Sequence, residues 1–234
     1  RRELRLSAED LQEFFDNKYG NPNDHGWSRR RNLAFGYFTA ADVYEAMVRK
    51  LVLPATRWLD VGGGSAIFPY DDALSWELAK RCENLTAVDP SPNVHDNKFA
   101  QQRVQCMFED FDTEERFDLA TFRMVAEHVT NPAAVLERLQ QVMSPGGLVV
   151  IFTINRYSPV PLITSLTPFS LHYRIKKFFW GGEERDTIAV AYKLNTRCRL
   201  RDEFSADGFE EVHFEYLDDL SVFYRFRVLN YIEL

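Results

Sequence analysis

The chain has 234 residues, 45% of them hydrophobic, and a net charge of −7. That is enough apolar material for one substantial core, hence a single domain over 1–234, and the acidic balance argues against a nucleic-acid binder, which is usually basic. Three scattered cysteines, Cys82, Cys106 and Cys198, show neither zinc spacing nor a disulfide framework, which favours a reducing, cytoplasmic setting.

No apolar run reaches the ~18 residues that would predict a membrane span, and no signal peptide is visible. The chain begins at Arg1 rather than Met, so residues are expected ahead of it. Residues 8–19 and 40–53 read as helices, the first capped by Ser7. Asn21 to Gly26 is a loop, and Arg29-Arg30-Arg31 reads as a solvated basic cluster. Trp27, Tyr37 and Phe38 have two open readings, cover for a ligand cleft or packing against a sheet.

Trp58-Leu-Asp-Val61 is a short apolar run that carries an acid, Asp60, and ends in Gly62, Gly63 and Gly64. It reads as a buried strand stopping in a tight turn, where glycines let the backbone approach a ligand. A helix over 65–82 should follow, its regular part delayed by Pro69. Leu85 to Val88 reads as a second strand ending in Asp89, which follows Gly64 near the ~20-residue spacing of a ribose-binding acid. An adenosine-containing ligand is expected. A pyrophosphate fingerprint, G-x-G-x-x-G, would need a third glycine at position 67, where Ile67 stands. Asp60 suits a ligand with a positive end, such as an amine beside a sulfonium. A third strand is expected over 103–108 and a fourth from Phe117. A helix over 132–143 has Asn131 as N-cap, Pro132 at N1, and Ala134, Leu136, Leu139 and Val142 as its apolar face.

In order, Leu59-Asp-Val-Gly-Gly-Gly64, Val88-Asp-Pro-Ser91, Phe117-Asp-Leu-Ala-Thr121 and Pro145-Gly-Gly-Leu-Val-Val150 resemble the motifs of class I S-adenosylmethionine-dependent methyltransferases. Ala66 departs from the pattern, since many members have a further glycine there. The resemblance implies an α/β, Rossmann-like, doubly wound and mostly parallel sheet with helices on both faces. It also implies a methyl donor at the C-terminal edge of that sheet. N-terminal helices (1–56) would precede the donor-binding core (57–154). A lid or acceptor insertion (155–198) and the C-terminal part of the sheet (199–234) would follow. The donor-site candidates it implies are Asp60, Gly62, Gly63, Gly64, Asp89, Pro90 and Phe108, with Glu109 or Asp110 near the adenine. Arg123 is a candidate for a carboxylate of the donor or of an acidic substrate, or else a surface arginine.

Glu127-His128-Val129 resembles a tripeptide of ubiquinone-biosynthesis O-methyltransferases and other small-molecule methyltransferases. Glu127 and His128 are therefore the catalytic candidates. Imidazole titrates near neutral pH and suits a base for a hydroxyl acceptor, while a histidine that merely fixes the loop is the plainer reading. Some ubiquinone-type enzymes hold a divalent metal with acids around this motif. Met124 stands where another acid would be needed, so no metal is expected. The acceptor is expected to be an O- or N-nucleophile on an apolar or aromatic small molecule, with no nucleic-acid partner. Alternatives are a nicotinamide-dependent oxidoreductase and a non-catalytic donor-binding module.

Residues 155–198 should decide the acceptor. Leu171, Ile175 and Phe179 give a helical apolar stripe beside His172, Arg174, Lys176 and Trp180. A lid, a peripheral membrane contact through 166–180, and a helix packed on the core all remain open. Tyr157, His172 and Tyr192 are further pocket candidates. Arg199 to Ala206 reads as a helix and Glu211 to Tyr216 as a sixth strand. Residues 222–234 fit a strand or a helix; if a helix, the seventh strand is missing and the sequence stops short at Leu234. Oligomeric state is not legible.

Overall fold

The computed structural model describes residues 4–21, 38–158, 191–218 and 228. The expectations for Trp27, Arg29 to Arg31, Tyr37, His172, the 166–180 segment and most of 222–234 lie outside these residues. Two compact units divide the described chain. One holds 4–21, 38–47, 212–218 and 228, and the other 48–158 and 191–211.

In the first unit, α1 spans Ala8–Tyr19 and opens on a reciprocal cap. The Asp10 amide donates to Ser7 Oγ at 3.0 Å and the Ser7 amide to the Asp10 carboxylate at 2.8 Å, which pairs two end amides that a helix leaves open. Helix α2, Ala40–Leu51, begins in this unit. Lys18 of α1 pairs with Asp42 at 3.0 Å and with Glu45, and Tyr19 donates to Asp42 at 2.6 Å. Burial disfavours the Lys18 charge, but Glu45 and Asp42 outweigh it and raise the ammonium above its ordinary value.

The second unit is built on five parallel strands in the order β3-β2-β1-β4-β5. These are β1 Arg57–Val61, β2 Asn84–Val88, β3 Gln102–Val104, β4 Phe117–Arg123 and β5 Met143–Phe152. Helix α3, Asp72–Arg81, joins β1 to β2; α4, Pro132–Val142, joins β4 to β5; and α5, Arg197–Ala206, lies beyond. Strand order reverses at β1, so right-handed crossovers put α3 and α4 on opposite faces. Buried on both faces, β1 and β2 have to be continuously apolar, and they are, with Asp60 and Thr86 as the polar interruptions. Leu59, Phe117 and Ala120 from the strands and Leu136, Leu139 and Val142 from α4 meet in one core. On α4, Val135 rather than Ala134 completes the buried face.

Of the 65–82 stretch, only Asp72–Arg81 is helical; this late start past Pro69 was expected, and Asp71 fixes it by accepting from the Leu74 amide at 2.9 Å. The glycine turn therefore leads into a non-helical stretch, and the open amides of α3 do not belong to it. Other elements depart from expectation. The third strand is only Gln102–Val104, and Phe108–Asp110 is a short 3₁₀ turn. Residues 209–218 form no strand. Val212, Phe214 and Tyr216 alternate as a strand would, but a strand needs a ladder partner and none pairs with them among the described residues. Val212 and Tyr216 are largely exposed.

Candidate functional site

The C-terminal ends of β1 and β4 lie side by side at the point where strand order reverses, the usual place for a ligand crevice in an open α/β sheet. A pocket of about 250 Å³ opens there. Asp60, Gly62 and Gly64 line it, together with residues 65–67, Pro69, Asn93 and Arg123.

Asp60 is 3% exposed, in a strand that is otherwise apolar. It is held by a chain of hydrogen bonds. Trp58 Nε1 donates to Thr121 Oγ at 2.8 Å, and the Thr121 hydroxyl donates to Asp60 Oδ1 at 2.7 Å. Burial pushes the Asp60 carboxyl up to about 7, against the Thr121 hydrogen bond and the Arg123 charge and with the help of Asp89.

The glycine turn is fixed from three sides. The Gly62 amide donates to the Val88 carbonyl at 2.8 Å. The Gly63 carbonyl accepts from Asn97 Nδ2 at 3.0 Å, and the Gly64 amide donates to Asp89 Oδ2 at 3.0 Å. Gly62 has φ +73°, and a Cβ there would lie 2.2 Å from Val125 Cγ2. Only glycine satisfies both constraints. Asp89 thus sits at the tip of β2 and supports the turn; its Oδ1 accepts from the Ser91 amide at 2.7 Å. Each of its oxygens keeps acceptor capacity for a ribose hydroxyl.

The structure gathers Asp60, Gly62, Gly64 and Arg123 at the pocket, with Gly63 and Asp89 directly behind it. Pro90, Phe108 and Glu109 lie outside its lining. Pro90 is exposed, while Phe108 packs edge-on against Phe122 at 5.6 Å in the core. The Glu109 carbonyl accepts from Arg138. Sequence reading missed Asn93, Thr121 and Asn97. Asn97 is wholly buried, but it stands among His95, Asp96 and Lys98, so nothing local marks it.

After β4 the chain turns sharply. Met124 adopts φ +57°, in the left-handed region that non-glycine residues rarely enter, and its amide donates to the Phe152 carbonyl at 2.8 Å. Glu127 is 2% exposed and does not face the pocket. Its carboxylate accepts from Thr153 Oγ at 2.7 Å, and Thr153 accepts from Asn195 Nδ2 at 2.8 Å. Its carbonyl accepts the amides of Ala191 and Tyr192 at 2.7 and 3.1 Å. Glu127 is thus a buried, hydrogen-bonded anchor of this turn. His128 is half-buried, with its amide on the Val125 carbonyl at 2.8 Å. Tyr157 is 68% exposed and Tyr192 has φ +50°; neither lines the pocket. Among the described residues no three His, Cys, Asp or Glu side chains come together as a metal set, and no helix is long and apolar enough to cross a membrane.

Comparison with known proteins agrees with this geometry. The chain is 33% identical over 112 residues to a ubiquinone biosynthesis O-methyltransferase of Bradyrhizobium sp. (strain ORS 278), covering 44% of this chain and 42% of that protein. It is 31% identical over 133 residues to a protein of the same name from Rhodopseudomonas palustris (strain BisB18), covering 53% and 50%. The chain thus spans about half the length of these curated relatives. A solved structure from Thermotoga maritima, described as a SAM-dependent methyltransferase and possible histamine N-methyltransferase, shares the fold. Its TM-score is 0.51 and its identity 17%, over 86% of this chain and 82% of that one. A family model described as a methyltransferase domain matches residues 5–213, and the chain belongs to that family.

Proposed function

We propose that this chain transfers a methyl group from S-adenosylmethionine to a small-molecule acceptor, an O- or N-nucleophile on an apolar or aromatic metabolite. The carrying observation is the buried acid and glycine turn that meet at the switch point of the sheet. The fit to the donor rests on three features. The turn has no room for a Cβ at Gly62, Asp89 at the tip of β2 keeps acceptor capacity that suits ribose hydroxyls, and a carboxylate in the pocket favours a cationic ligand. A pyrophosphate ligand fits less well. Ile67, in place of the third glycine, is 3% exposed and its backbone does not open a helix.

The bound donor supplies an electrophilic methyl on a sulfonium, so the protein's task is alignment and exclusion of water. The half-buried His128, in the turn after β4, is the proposed base for a hydroxyl acceptor. Glu127 is the residue that fixes that turn. The names of the relatives favour a hydroxyl over an amine. A panel of phenolic, sugar and lipid acceptors with labelled S-adenosylmethionine tests the proposal. Label transfer with release of S-adenosylhomocysteine is expected for a phenolic acceptor. Donor binding without transfer to any acceptor would instead support an inert binding module. His128→Ala should lower turnover on the acceptor found by about 10²-fold or more, with donor affinity unchanged.

A further inference from the structure

The turn that carries His128 borders the pocket beyond β1 and β4. It starts directly after Arg123, which lines that pocket, and its Val125 lies against Gly62. The peptide unit between Glu127 and His128 is held at both of its polar atoms. Its amide donates to the Val125 carbonyl at 2.8 Å, and its carbonyl accepts the Ala191 and Tyr192 amides at 2.7 and 3.1 Å. A peptide unit is planar, so fixing these two atoms fixes the direction in which the chain enters His128. A second tie runs through side chains. Asn195 Nδ2 donates to Thr153 Oγ, and the Thr153 hydroxyl donates to the Glu127 carboxylate. Lys193 Nζ adds a third by donating to the Thr130 carbonyl at 2.7 Å.

These ties are costly to keep. Met124 and Tyr192 are the non-glycine residues with positive φ among the described residues, and they stand on the two segments that the ties join. Asn195 is 2% exposed, and its Oδ1 is buried without a partner among the described residues. Its Nδ2 is meanwhile committed to both Thr153 Oγ and the Ile154 carbonyl, at 2.8 Å each. An apolar side chain would fill this space without orphaning an acceptor. Strained backbone and an unpaired buried atom in one place mark a geometry kept for use rather than for stability.

Resting on the reading of His128 as the base, we propose that Thr153 and Asn195 are positioning residues for methyl transfer. They act through Glu127 and hold His128 where the acceptor hydroxyl meets it. Neither lines the donor pocket, so donor binding does not need them. A misplacement of about 1 Å in a reacting group is enough to slow a step by about 10²-fold.

Kinetics on the whole chain test the relay, with labelled S-adenosylmethionine as donor and phenol, catechol and a long-chain alkylphenol as acceptors. On the best of these, Thr153→Val and Asn195→Ala should each lower kcat by about tenfold or more. KM for the acceptor and Kd for S-adenosylhomocysteine should change by less than about twofold. Thr153→Ser keeps the hydroxyl and should restore most of the turnover. In a His128→Ala background, Thr153→Val should cost nothing further, because a relay that works through His128 has nothing left to position. Thermal melting sets an assay temperature at which the variants are folded, and Asn195→Ala carries the test if Thr153→Val does not fold. Full turnover in Thr153→Val and Asn195→Ala, or an equal loss with and without His128, overturns the relay and leaves the base reading standing. Wild-type turnover in His128→Ala, or no labelling of any of the three phenols by wild type, overturns both.

Discussion

Asp60 is in conflict with folding. Burial pushes its carboxyl from an ordinary value of 3.8 up to about 7, so ionising it costs stability. The cost is absent below about pH 4, where the group is protonated in both states, grows as pH rises, and is complete above about 7. Asp60→Asn keeps an oxygen for Thr121 and removes the charge. Compared with wild type by urea melts, it should gain on the order of 4 kcal/mol at pH 8 and nearly nothing at pH 4. It should weaken S-adenosylhomocysteine at the same time. A gain that does not depend on pH would show that the carboxyl is not strained as described. Gly62→Ala tests the turn itself. The added Cβ meets Val125 and strains a positive φ, so a loss of about 2–4 kcal/mol is expected. Val125→Ala in the same chain should recover the steric part and leave the backbone part. Asp89→Ala should weaken donor binding by about 1–3 kcal/mol, the cost of ribose hydroxyls left without their acceptor.

Beyond β4 and β5, single hydrogen bonds tie distant elements. Asn195, Thr153 and Glu127 form a buried relay, and the Arg156 amide donates to the Asn195 carbonyl at 3.0 Å. Residues 153–156 and 191–195 are thereby pinned to the turn that carries His128. Thr153→Val removes both links of the relay and should destabilise by about 1–3 kcal/mol, read by thermal melting. Donor affinity should be preserved, since none of the three lines the pocket. None of this was legible in the sequence, because the partners lie 26 and 42 residues apart and nothing local marks them. The glycine turn and Asp89 were legible because strand, turn and acid follow one another in order. Local signals also misled. A sixth strand was expected over Glu211 to Tyr216, but a strand is decided by its neighbour rather than by its own sequence. The helix after the glycine turn was expected to start late because of Pro69, and the Asp71 cap sets that start at Asp72.

At the scale of the molecule, the parallel order with its reversal at β1 makes a crevice, and Asp60, the acid that interrupts β1, lines it. Outside that crevice, the first unit carries its own buried charge cluster. Asp42 is held below the ordinary carboxylate range: burial acts against this, and Lys18, Tyr19 and Thr39 outweigh it. Its contribution to stability is present above the unfolded carboxylate value and is lost as pH falls through the native one. The donor core was readable because its motifs are contiguous and tied to backbone geometry, whereas the acceptor side depends on residues that sequence order does not bring together. The most direct measurement is titration of the whole chain with S-adenosylhomocysteine and, separately, with NAD. Saturable binding of S-adenosylhomocysteine, and none of NAD, is the predicted result. Binding of NAD without S-adenosylhomocysteine would contradict the assignment of this crevice to a methyl donor.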